Sequence, residues 1–125
     1  MEAKTLPMIS VVVGYKYTIH DVHSEIRSNC LLGIWAGTIG TQRLLKMFAK
    51  YDIKCTWFIP GHSLDTFPEE MAAVRDAGHE IGLHGYLHEN PVDMSLEQQE
   101  AVLDKTYRQL TEFAGKPPRG SVAPW

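Results

Sequence analysis

Strand and helix signals alternate along this chain and predict an α/β fold: parallel strands joined by crossover helices. Three observations carry that expectation. Apolar or β-branched runs recur at 8–13, 55–59, 80–83 and 120–123. Amphipathic stretches with cap signals fall between them at 41–51, 67–77 and 96–114. Four or five strands are too few to close a barrel of about eight. The chain is therefore expected to be a single, incomplete domain spanning 1–125, like a fold cut partway.

Each element has a local reason. Met8-Ile9-Ser10-Val11-Val12-Val13 reads as a buried strand ended by Gly14, and 15–19 alternates as its extension. Residues 20–40 show no period and hold three glycines, so they read as a long loop. Thr41 is expected to cap a helix through Tyr51, with Leu44, Leu45, Phe48 and Tyr51 on one face. Cys55-Thr56-Trp57-Phe58-Ile59 is the next strand, ended by Pro60-Gly61. Thr66-Phe67-Pro68-Glu69 reads as a capping box whose helix stops at Gly78. Glu80-Ile81-Gly82-Leu83 is a short buried strand. Ser95-Leu96-Glu97-Gln98 is a second capping box and opens the longest helix, with Leu103, Thr106 or Tyr107, Leu110 and Phe113 as its inner stripe. A turn at 116–118 leads into the last strand, 120–123.

The bulk numbers narrow the function. A chain of 125 residues with 44% hydrophobic content can bury one modest core. The net charge of −3 and the lack of a basic stripe argue against nucleic acid or an anionic membrane as partner. No apolar run is long enough to span a bilayer. The start, Met1-Glu2-Ala3-Lys4, lacks the pattern of a secretory leader, so the expected location is cytoplasmic and the substrate small. Cys55 reads as a buried thiol, Cys30 as buried or free, and neither as catalytic.

His84-Gly85-Tyr86-Leu87-His88 follows the 80–83 strand directly. The strand end holds the first imidazole, and one turn of chain brings the second beside it. Neutral imidazole suits zinc or a similar divalent ion. A hydrogen-bonded loop is the other reading of the pair. The carboxyl ends of parallel strands converge on one rim. Asp21 and His23, which follow the first strand, are therefore candidate partners of His84 and His88, or else part of an exposed polar loop. Three protein ligands and an open position make a catalytic metal site, and a carboxylate such as Asp21 can serve as general base. His62 follows a strand end and is a rim candidate, whereas His79 precedes a strand and reads as structural. Glu89 and Asn90 are placed to orient ligands. Trp125 either faces a ring-shaped substrate or packs in the core.

Several motifs occur together and in order: Phe58-Ile59-Pro60-Gly61-His62, Phe67-Pro68, Ala77-Gly78-His79-Glu80-Ile81-Gly82, His84-Gly85-Tyr86-Leu87-His88-Glu89-Asn90 and Val122-Ala123-Pro124-Trp125. From about residue 33 onward the chain resembles the polysaccharide deacetylase family, also called the NodB-homology domain or carbohydrate esterase family 4. The wording is nearest to the branch with peptidoglycan deacetylase-like and cyclic-imide hydrolase-like members. The resemblance implies a partial (β/α) barrel of the NodB-homology type and metal-assisted amide hydrolysis. It implies that His84 and His88 are the metal histidines, with zinc as the expected ion. It implies that Arg119, Pro124 and Trp125 belong to the segment lining the substrate groove, with His62 beside it.

The sequence also departs from the family pattern. Where the family carries Asp-Asp or Asp-x-Asp, this chain has Asp21-Val22-His23. His23 then stands as the replacement metal ligand and Asp21 as the catalytic carboxylate. Leu87 replaces a commonly small polar residue, and the family's general-acid histidine has no counterpart. The expected function is metal-dependent hydrolysis of non-peptide C–N bonds in an oligosaccharide or small amide, with weak or no turnover by this chain. The alternatives are a cyclic-imide or allantoin-type amidohydrolase and an inactive fragment that only binds. An open sheet edge and apolar helix faces would also let a second copy pair with the first.

Overall fold

The computed structural model describes residues 10–12 and 33–124. Asp21, His23, Cys30 and Trp125 lie outside the described residues, as do most of the first strand and its extension. Among the described residues three parallel strands form the sheet, in the order β1 (Ser10–Val12), β2 (Thr56–Ile59), β3 (Glu80–Leu83). Ser10 pairs with Thr56, and Thr56 in turn with Glu80, so the three strands run in step. The predicted parallel α/β architecture is therefore the observed one. The strand expected at 120–123 reduces to a single parallel bridge between Leu83 and Ser121, closed by Leu83 N–H to the Gly120 carbonyl and Val122 N–H to the Leu83 carbonyl, each 3.0 Å.

Helices fill the connections: α1 (Thr41–Lys50), α2 (Gly61–Thr66), α3 (Pro68–Asp76) and α4 (Leu96–Ala114). A π-helical turn, Ala36–Gly40, runs straight into α1, so the end of the expected loop is helical instead. This corrects the reading of Thr41 as a cap. Thr41 is buried within continuous helix, and its hydroxyl donates to the Ala36 carbonyl five residues back at 2.9 Å, as a π-bulge allows. Gly37 is obligatory there, since a Cβ would sit 2.4 Å from the Phe67 ring.

Thr66 is likewise not a cap. It ends α2, and its hydroxyl donates to the His62 carbonyl at 2.8 Å. Pro68 still takes the first turn of α3, where its missing N–H costs nothing. The Ser95–Gln98 capping box forms as expected, and Gly115 closes α4 in the left-handed conformation at φ 69°.

The core lies between the sheet and the helices. Trp57 and Ile59 of β2 are fully buried with Phe48, Met71, Val74 and Leu110, joined by Ile81 and Leu83. Phe48 meets Trp57 edge-on at 6.2 Å. Two apolar residues expected inside are exposed instead: Tyr51, which turns outward beneath Lys50, and Leu103 of α4. Of the alternatives Thr106 and Tyr107, Thr106 is the buried one, together with Leu110. On the opposite face of the sheet from Trp57, Phe58 crosses Gly82, where a Cβ would lie 2.6 Å from its ring.

Candidate active site

β3 ends by delivering His84 into a buried position. Its Nδ1 lies 2.8 Å from the Val122 carbonyl. A carbonyl only accepts, so this bond holds the proton on Nδ1 and leaves the lone pair on Nε2. Nε2 is buried and has no hydrogen-bond partner among the described residues. Burial pushes the imidazole below its ordinary pKa, opposed by the Val122 carbonyl and reinforced by His88. The ring is therefore held neutral, the form that binds a metal.

The chain then turns back on itself. Gly85 takes φ 66° and His88 φ 63°, both left-handed. The turn brings the His88 ring to 4.9 Å from that of His84, centroid to centroid and nearly perpendicular. Glu89 fastens the turn, its two carboxylate oxygens accepting from Tyr86 N–H at 3.0 Å and Leu87 N–H at 2.9 Å. Glu89 thus orients the loop backbone and not a ring. Asn90 caps the 3-10 turn Pro91–Asp93 by accepting from Val92 N–H at 3.2 Å.

The other sequence candidates spread around this pair. Pro124 packs near Gly85, 3.1 Å from where its Cβ would stand, and both line an apolar cleft of about 300 Å³ with Glu89, Val102, Thr106 and Val122. Arg119 is exposed in a neighbouring, more charged cleft of about 460 Å³ with Glu100, Asp104 and Tyr107. His62 stacks on Tyr86 at 6.1 Å, and its Nδ1 lies 2.7 Å from the Thr66 hydroxyl. His79 is buried against Phe48 and Trp57, as a structural histidine should be.

The pair fits a metal ion in one specific respect: a buried, neutral imidazole with an unpartnered nitrogen lies beside a second imidazole. Among the described residues no group of three His, Cys, Asp or Glu side chains comes together. Sequence reasoning missed Asp65 and Gln109. Tyr86 donates to Asp65 at 2.9 Å and Gln109 donates to the same carboxylate at 2.7 Å.

Comparison with known proteins places the chain in a family. A peptidoglycan deacetylase of Helicobacter pylori is 53% identical over 93 residues, covering 74% of this chain and 32% of the relative. A peptidoglycan deacetylase-like protein of Gibberella zeae is 47% identical over 102 residues, covering 77% of this chain and 30% of the relative. The chain thus spans about a third of the length of these curated relatives. A solved allantoinase superposes on 90% of the chain and 37% of its own length, with TM-score 0.75 and 26% identity. A solved peptidoglycan N-acetylglucosamine deacetylase covers 63% of the chain and 37% of its own, with TM-score 0.61 and 28% identity. The polysaccharide deacetylase family model matches residues 35–125, and the chain belongs to that family.

Proposed function

We propose that these residues form the metal-binding side of a zinc-dependent hydrolase that removes acetyl groups from N-acetylated amino sugars of peptidoglycan or a related polysaccharide. The observation that carries the reading is His84: buried, neutral, its proton held by Val122, its buried Nε2 without a hydrogen-bond partner, and its ring 4.9 Å from that of His88. The high identity to a peptidoglycan deacetylase supports the substrate class.

In this reading His84 and His88 hold the ion, with His23 as third ligand and Asp21 as the carboxylate that accepts a proton from the attacking water. The chemistry such an ion supplies is polarisation of the amide carbonyl and acidification of water. The protein's own part begins with Val122, which fixes the His84 tautomer, and Glu89, which holds the loop. The clefts beside Pro124 and Arg119 would seat the sugar.

A second reading has its own support in the superposition on an allantoinase: hydrolysis of a cyclic amide of small size. One experiment separates the two. Load the 125-residue chain with zinc, then measure acetate release from N-acetylated chito-oligomers beside allantoin consumption. Slow, chelator-sensitive acetate release that disappears in His88→Ala is the expected result. Allantoin consumption without acetate release favours the second reading, and failure to take up zinc overturns both. The rate should be low, because incomplete catalytic sets lose several orders of magnitude.

A further inference from the structure

We propose that Tyr86 is a positioning residue for this centre, clamped by Asp65, His62 and Lys105 so that the loop holds His88 against His84. The inference rests on the metal reading above. The loop has a reason to relax: His88 sits at φ 63°, which an L side chain adopts only when its surroundings impose it. Glu89 restrains the turn from one side. Tyr86 restrains it from the other, and it does so through four contacts on two helices.

The phenol donates to Asp65 of α2 at 2.9 Å. Asp65 is itself fixed, since its other oxygen accepts from Gln109 of α4 at 2.7 Å, and Gln109 also donates to the Gly61 carbonyl at 3.1 Å. His62 stacks on the ring of Tyr86 with planes 30° apart. The Lys105 ammonium stands 3.3 Å from the ring centroid, a cation–π contact. Beneath the ring, the first turn of α2 grips the loop backbone: Gly61 N–H donates to the Gly85 carbonyl and His62 N–H to the Tyr86 carbonyl, each 3.0 Å. Gly61 must lack a side chain for this, because a Cβ there would lie 2.5 Å from the Tyr86 ring. A tyrosine present only to fill space would not need a directional bond from its hydroxyl to a carboxylate that is itself held.

The test uses cobalt(II) as the probe on the 125-residue chain, its Tyr86→Phe variant and its Asp65→Ala variant. Cobalt affinity, the visible ligand-field spectrum and hydrogen exchange at the Gly61 and His62 amides are read together. Both variants should bind cobalt about 10- to 100-fold more weakly, as when an outer partner of a metal ligand is removed. Their spectra should change and both amides should exchange faster. If one variant fails to fold, the other still decides. Unchanged affinity and spectrum in the variants, whether or not exchange quickens, would make the clamp merely structural and overturn the inference alone. A parent chain that takes up no cobalt overturns the metal reading, and this inference with it.

Discussion

The Val122 carbonyl, 38 residues downstream, is what sets the chemical state of His84, through a 2.8 Å hydrogen bond to Nδ1. Val122 reaches that place because its own N–H bonds to the Leu83 carbonyl, at the bridge between Leu83 and Ser121. The strand end that presents the imidazole and the segment that fixes its proton are therefore one unit. On the proposed zinc reading, shortening the chain to end at Arg119 should leave the helices folded and weaken zinc binding by about 10- to 100-fold. Competition with a chromophoric chelator measures this directly. Equal affinity in the shortened chain would show that His84 needs no outer partner.

Gly82 and Phe58 make a second coupled pair, on the face of the sheet away from Trp57. A methyl group at Gly82 would stand 2.6 Å from the Phe58 ring. Gly82→Ala should cost about 1–3 kcal/mol, the usual range for overpacking. In a Phe58→Ala background the same change should cost distinctly less, because the ring that it strikes is gone. Urea unfolding of the four proteins gives the coupling. Additive costs would mean that the Gly82 backbone, and not the Phe58 ring, limits that position.

The Ser95 hydroxyl accepts from Gln98 N–H at 3.2 Å, and the Gln98 side chain accepts from Ser95 N–H at 2.8 Å. Ser95→Ala should destabilise the chain by about 0.5–2 kcal/mol, and Ser95→Gly by less. Helicity lost from circular dichroism at low denaturant would locate the effect in α4.

The same box shows why some of the fold was legible in the sequence. All its partners lie within four residues, so local pattern suffices. Thr41 and Thr66 give the same signal and mean the opposite, since each hydroxyl bonds back to a carbonyl of helix already under way. Only knowledge that 33–40 and 61–66 are helical tells the cases apart, and glycines at 33, 37, 40 and 61 hide it. Gly37 and Gly61 are there because Phe67 and Tyr86 occupy the space of a side chain. The His84–His88 pair was legible because a strand end and a four-residue spacing place both rings. Asp65 and Gln109 were not, because they act on Tyr86 across 21 and on Asp65 across 44 residues of sequence.

His79 gives the fold a pH dependence whose sign is fixed by its place. The ring packs between Phe48 and Trp57, and its Nδ1 accepts from Cys55 N–H at 3.3 Å. Burial pushes its pKa below the ordinary 6.5, and nearby Lys54 adds to the shift. Around that pH the unfolded chain therefore binds more protons than the folded one, and stability must rise with pH. The contribution is complete above about pH 6.5 and is lost as the pH falls through the lowered folded value. His84 shifts in the same direction, so the parent chain carries both slopes. His79→Gln retains an acceptor for Cys55 N–H and cannot titrate. Thermal unfolding of the metal-free proteins between about pH 8 and 5 should show the parent losing stability faster than the variant, even if the variant starts lower. Parallel curves would mean that His79 takes up its proton alike in the folded and unfolded chain, and the assignment of this buried ring as a neutral acceptor would fall.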